Sequence, residues 1–173
     1  MTIKVGDRLP SVAFKQMGPD GPVDVRDVST EEVFRGKNVV LFGLPGAYTP
    51  VCSAEHLPGF VAQADALKAK GVDSVVCVSG SDPFVMQAWS EAQHAGDKVA
   101  MLSDHNGEFT RAVGLTLDLS DFGLGERSER YSLIAEDGVV TALHVEESIL
   151  SCDVSGSDAV LAEVSKDAAL AEA

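Results

Sequence analysis

The sequence predicts an α/β fold with a central mixed sheet flanked by helices, and three observations carry that prediction. Strand-like apolar runs alternate with helix-spaced runs between residues 38 and 114, an order that implies parallel pairing. Two β-rich runs, residues 130–136 and 139–145, meet at Asp137-Gly138, a strong type I′ hairpin signal. A last run carrying Val160, Leu161, Val164 and Leu170 has the spacing of an amphipathic helix.

Taken in order, residues 1–37 read as a short extended lead-in with a turn at Met17-Gly18-Pro19-Asp20-Gly21-Pro22. Residues 39–44, Val-Val-Leu-Phe-Gly-Leu, suit a buried strand, and Leu57, Phe60, Val61, Ala64 and Leu67 then recur at helical spacing. Residues 72–79, with Val75, Val76 and Val78, read as a strand covered on both faces. Asp82 can cap a second helix with Pro83 at N1, and Phe84, Ala88, Trp89 and Ala92 make its expected apolar face. Residues 99–102 form a third strand, followed by a short helix around 108–113 that Gly114 ends. Repeats and low-complexity linkers are absent, so residues 1–173 read as a single domain. The order βαβ, helix, antiparallel hairpin, closing helix is the thioredoxin-like arrangement, here with an N-terminal extension and an inserted strand and helix.

Composition narrows the function. A chain of 173 residues can bury roughly two-thirds of its unfolded surface without covalent staples. Its three cysteines are irregularly spaced, with no Cys-x-x-Cys and no Cys/His cluster at zinc-ligand spacing, which fits a reducing compartment. The first residues carry no apolar or Arg/Ser-rich targeting pattern, and no run is long enough to cross a bilayer, so the expected location is the cytoplasm. A formal charge of −14 opposes binding to phosphate backbones.

The chemistry concentrates at Pro45-Gly-Ala-Tyr-Thr-Pro-Val-Cys52, between the first strand and first helix. Thr49 suits the N-cap and Pro50 the N1 position, where a missing N–H costs nothing. Cys52 then falls at N3, where unpaired N–H groups and the helix dipole favour an anion and hence a nucleophilic thiolate. His56 lies one turn later on the same face.

These residues closely resemble the peroxiredoxins, whose signature Pro-x-x-x-Thr-x-x-Cys is matched by Pro45, Thr49 and Cys52. The longer run to Phe60, with Phe84-Val85-Met86-Gln87-Ala88-Trp89, Leu115-Thr116-Leu117-Asp118-Leu119-Ser120 and Arg127-Ser128-Glu129-Arg130-Tyr131-Ser132, is similar to the type II subfamily, the peroxiredoxin 5 group. The resemblance covers nearly the whole chain. It implies a thioredoxin-like fold with peroxiredoxin-type extension and insertion, and reduction of hydrogen peroxide and alkyl hydroperoxides without metal or organic cofactor. It makes Cys52 the peroxidatic nucleophile, with the Thr49 hydroxyl, the Arg130 guanidinium and the N–H groups of Val51 and Cys52 contacting the peroxide. Pro45 would shield the sulfur and fix the loop.

Arg127 competes with Arg130 for the arginine role, and His56 is expected to support the site without acting as its base. Cys77 reads as core. Cys152, in a loop over residues 146–157 expected to be exposed and mobile, is a candidate resolving cysteine, although it falls about two positions short of where that residue aligns. Without it the sulfenic acid would be recycled by glutathione, glutaredoxin or thioredoxin. The resemblance also implies a homodimer, and Tyr48, Phe84 and Phe122 are the exposed aromatic candidates for its interface. Two other readings compete: a thiol-disulfide oxidoreductase, which wants a second cysteine three residues on where Ser53-Ala54-Glu55 stands, and a non-catalytic redox-sensing or interaction module.

Overall fold

A computed structural model of the chain describes residues 1–172, with side-chain surroundings through Lys166. The elements are β1 (Ala13–Met17), β2 (Val25–Ser29), α1 (Thr30–Phe34), β3 (Asn38–Leu44), a π turn (Cys52–His56), α2 (Leu57–Ala69), β4 (Ser74–Ser79), α3 (Pro83–Ala92) and β5 (Ala100–Ser103). They continue with α4 (Glu108–Val113), β6 (Thr116–Asp118), β7 (Glu126–Ser128), β8 (Tyr131–Glu136), β9 (Val139–Val145) and α5 (Ser157–Glu172). Seven strands form one mixed sheet in the order β2-β1-β5-β4-β3-β8-β9, in which β3, β4 and β5 run parallel and the other pairs antiparallel. This is the thioredoxin-like mixed sheet that the strand–helix alternation and the hairpin signal predict.

The alternation of side chains along β3 builds two cores. Val40, Phe42 and Leu44 pack with Cys52, Leu57, Phe60, Leu67 and Trp89 on one face, while Val39 and Leu41 pack with Phe14, Phe109 and Tyr131 on the other. Each such side chain, removed fully from water, contributes about 1.5–3 kcal/mol of transfer free energy. Gly43 is a necessity of close approach: a Cβ there would lie 2.5 Å from Tyr131 Cζ. The hairpin turn also forms as its sequence requires, with φ of 48° at Asp137 and 79° at Gly138.

Register positions the site. Gly43 of β3 faces Tyr131 of β8. The next pair outward, Leu44 and Arg130, therefore brings the arginine beside the chain that leads into Cys52, although Arg130 itself precedes the strand it was expected to open.

Four expectations need correction. The lead-in is not merely extended: β1 and β2 form a hairpin, and α1 follows with a Ser29/Glu32 capping box that Ser29-Thr30-Glu31-Glu32 does encode. The buried face of α3 is Met86, Trp89 and Ser90, so Trp89 is the one expected residue on it while Phe84, Ala88 and Ala92 stand exposed. Periodicity could not distinguish the two faces because both are rich in apolar side chains. The pair β6 and β7 was unexpected, since three-residue strands carry too few positions to display a period. The helix beginning at Pro50 is interrupted by the π turn rather than uniformly α. In α5, Val160 and Val164 are buried as expected, and the side chain of Leu170 lies outside the described residues.

Candidate active site

The loop leaving β3 is held from two sides, by Arg127 and by Ser81. Arg127 donates through Nη1 to Pro45 O at 3.2 Å and through Nε to Leu124 O at 2.9 Å, and Ala47 N donates to Ser81 Oγ at 3.0 Å. Tyr48 adopts a left-handed φ of 63°, a conformation that a bulky non-glycine residue keeps only where its surroundings impose it. Thr49 sits at the helix N-cap by its backbone, since the first intrahelical bond runs from Ser53 N to Thr49 O at 3.0 Å. Pro50 is then N1, and the N–H groups of Val51 and Cys52 lie ahead of that bond, among the amides a helix leaves without internal partners. The Thr49 side chain, however, does not cap: its Oγ1 donates to Gly46 O at 2.7 Å. With its proton committed there, that oxygen presents only lone pairs to anything else.

The π turn has a local cause in Pro58. Proline has no N–H, so it can serve neither the carbonyl four residues back nor the one five back. The Leu57 N–H instead bonds Cys52 O, five residues away. Ser53 O, five residues before Pro58, receives its proton from Gln93 Nε2 at 3.2 Å, and Ser53 Oγ accepts from Trp89 Nε1 at 3.1 Å. The Gln93 side chain, at the C-cap of α3, thus replaces the donor that the helix lacks, while Trp89 holds the Ser53 side chain.

Arg130 is buried, and its guanidinium organises the site. Nη2 donates to Cys52 Sγ at 3.1 Å and to Ile149 O at 3.0 Å, Nε donates to the same carbonyl at 3.1 Å, and Nη1 contacts His56 Nδ1 at 2.9 Å. A guanidinium has five N–H groups and can only donate, so these contacts use four, leaving one on Nη1. His56 Nδ1 must therefore accept, which puts the ring proton on Nε2, where it donates to Ser155 O at 3.1 Å. Burial first, and the Arg130 charge second, push the His56 pKa down to about 3. A neutral imidazole already bonded at both nitrogens positions Arg130 and is not available as a base. Of the groups touching the guanidinium, only the Cys52 sulfur can carry a compensating negative charge. A buried cation without such a partner would be strongly destabilising.

Cys52, His56 and Arg130 are thus brought into one contact network, with Thr49 and the Val51 and Cys52 amides at the same helix start. Arg127 does not reach the sulfur and braces the Pro45 carbonyl instead. Cys77 lies in the core on β4, and burial pushes its thiol pKa well up. Cys152 is half-buried, and its thiol is pushed up to about 11 by burial, partly offset by Arg130 and reinforced by Glu146, Glu55 and Asp153. The loop carrying it is tied down rather than mobile, because Glu146 accepts hydrogen bonds from Asp153, Ser155 and Ser151. Nothing in the linear sequence marks Glu146 or the Ile149 and Ser155 carbonyls: a carboxylate after a strand and two backbone oxygens acquire meaning only from what folds against them.

The Redoxin family model matches residues 4–161. The chain is 46% identical to Peroxiredoxin-2C of Oryza sativa subsp. japonica over 160 residues, 92% of this chain and 96% of that protein. It is 51% identical to the chloroplastic Peroxiredoxin-2E-2 of the same plant over 84% of this chain, a match that spans about two-thirds (66%) of that longer relative. Among solved structures, reduced Prx3 of Vibrio vulnificus in complex with H2O2 superimposes with a TM-score of 0.88 at 44% identity, covering 96% of this chain and 98% of that one. Matches of this identity and extent leave one conclusion: the chain belongs to the peroxiredoxins, in their type II subfamily, and is a thiol-dependent peroxidase of the antioxidant class.

Proposed function

We propose that Cys52 is the peroxidatic nucleophile, assisted by Thr49, Arg130 and the amides of Val51 and Cys52. The observation that carries this is the buried guanidinium of Arg130 on Cys52 Sγ at 3.1 Å. In the reaction the thiolate attacks one peroxide oxygen; an S–O bond forms, the O–O bond breaks, and sulfur is oxidised by two electrons to the sulfenic acid. The other oxygen leaves with the bonding pair and, once protonated, departs as water or an alcohol. Negative charge moves along the S–O–O axis, so donors fixed along that line stabilise the transition state more than the ground state. The remaining Nη1–H of Arg130 and the two amides are such donors. Thr49 Oγ1, limited to accepting, suits the proton of the attacked O–H group. Pro45, buried at the mouth of the loop, and Arg127, bonded to its carbonyl, hold that loop in place.

The thiol of Cys152, pushed up to about 11 mainly by burial, has little thiolate at neutral pH. This favours recycling of the sulfenic acid by an external thiol, glutathione with glutaredoxin or else thioredoxin, over an internal disulfide. Tyr48 and Phe84, with exposures of 57% and 51%, lie on the side of the active-site loops and support a homodimer through that face. We place the working chain as a single domain in the cytoplasm, on the strength of one continuous main sheet and three unpaired thiols.

The deciding experiment treats reduced protein with one equivalent of peroxide and reads intact mass. Gain of one oxygen on wild type, lost in Cys52→Ser, supports the assignment; unchanged peroxide consumption in Cys52→Ser removes it. Loss of two hydrogens instead would restore Cys152 to the cycle. Sedimentation of wild type and Phe84→Glu tests the dimer, which requires the variant to shift to monomer.

A further inference from the structure

We propose that Glu146 is a positioning residue for the peroxidase reaction: its carboxylate shapes the 147–156 strap so that two strap carbonyls hold Arg130 and His56 in register with Cys52. The inference rests on the peroxidase reading and extends it to a residue that touches neither sulfur nor substrate.

The bonds form a closed circuit. Glu146 N donates to Arg130 O at 2.9 Å, fixing the start of the strap against the arginine's own backbone. One carboxylate oxygen of Glu146 accepts from Asp153 N at 2.6 Å, Ser155 N at 2.9 Å and Ser155 Oγ at 2.9 Å, and the other from Ser151 Oγ at 3.1 Å. These four donors curl the strap back on itself. The curl presents Ile149 O to Arg130 Nε and Nη2, and Ser155 O to His56 Nε2. His56 in turn meets Arg130 Nη1, and Arg130 Nη2 meets the sulfur. Every side-chain bond that orients the guanidinium, apart from the one to sulfur itself, thus leads back to the strap.

Glu146 is 8% exposed, and Ser155 is fully buried. Burial pushes the Glu146 carboxyl pKa up, but the donors from Ser155, Asp153 and Ser151 outweigh it and hold the group below its ordinary value. An ionised carboxylate accepting four bonds makes a stiff clasp, because charge-assisted bonds are roughly twice as strong as neutral ones. The strap needs such a clasp: it also carries Leu150 and Val154 at 75% and 47% exposure, so little apolar burial holds those positions down.

The test is a double-mutant cycle on the full chain, with single-turnover consumption of hydrogen peroxide by prereduced protein as readout. Glu146→Ala should lower the second-order rate constant about 10- to 100-fold, the range for sub-ångström to ångström misplacement of a reacting group. In an Arg130→Met background the same substitution should change the rate less than twofold, because no guanidinium remains to be placed. Glu146→Gln, which keeps the shape and one strong acceptor, should fall between wild type and alanine and supplies the same cycle if the alanine variant does not fold. A role confined to general stability would give the full loss in both backgrounds, and that result overturns the proposal, as does a wild-type rate in either Glu146 variant. Wild-type protein that consumes no peroxide would instead overturn the peroxidase reading itself, and the proposal with it.

Discussion

Replacement of Arg130 by methionine tests the electrostatic core of the site. The side chain keeps its approximate length and apolar stem but loses the charge 3.1 Å from Cys52 Sγ. At an effective dielectric of about 20, a unit pair at that separation is worth roughly 5 kcal/mol. Only part of this appears in the barrier, because a guanidinium also stabilises the negative sulfur of the ground state in the proposed attack and the barrier registers the difference. Loss of a single preorganised donor at comparable sites costs about 3–4 kcal/mol, and each 1.36 kcal/mol is tenfold in rate, so the expected fall in the peroxide rate constant is about 10²- to 10³-fold. Trp89, the sole tryptophan, bonds the Ser53 hydroxyl next to Cys52 and offers a stopped-flow fluorescence signal for the reaction. Folding is checked by near-UV circular dichroism, since the variant also leaves His56 Nδ1 and Ile149 O without donors. A folded Arg130→Met protein reacting within about threefold of wild type would refute the claim that this guanidinium governs the sulfur, given that the expected effect is at least about 3 kcal/mol.

Three further outcomes follow from the geometry. Because His56 is held at about 3 against an ordinary 6.5, the unfolded chain binds the extra proton between those values and stability falls as pH drops below 6.5. At pH 5 this amounts to about 2 kcal/mol, so denaturant melts of His56→Gln, which cannot titrate, should lose about that much less than wild type between pH 7 and 5. Pro58→Ala restores an N–H that can bond Ala54 O, which should convert the π turn to regular α-helix, raise or preserve the melting temperature, and cut the peroxide rate about tenfold or more by shifting Cys52; an unchanged rate would show that the turn does not set the sulfur's position. Gly43→Ala places a methyl group against the buried Tyr131 ring and should destabilise by about 2–3 kcal/mol, lowering the melting temperature by roughly 5–10 °C in calorimetry.

The sequence by itself determined the elements whose signals are local and redundant. Val39 to Leu44 could be read as a buried strand because a strand covered on both faces needs an unbroken apolar run. Asp82-Pro83, Gly114 and Asp137-Gly138 mark their caps and turn because only certain residue types meet those backbone requirements. The placement of Cys52 in the first turn of a helix was legible for the same reason: Thr49-Pro50 fixes the helix start, and the start fixes which amides stay unpaired. Tertiary structure alone decided how Arg130 reaches the sulfur, through the register of β8 on β3, and what His56 does, through the donor-only chemistry of the arginine beside it. It also decided which face of α3 is buried and that Glu146 binds the strap. The bonds involved join partners as far as 99 residues apart, and a one-dimensional pattern specifies what a residue can bond, not which of several competing partners folding will bring to it.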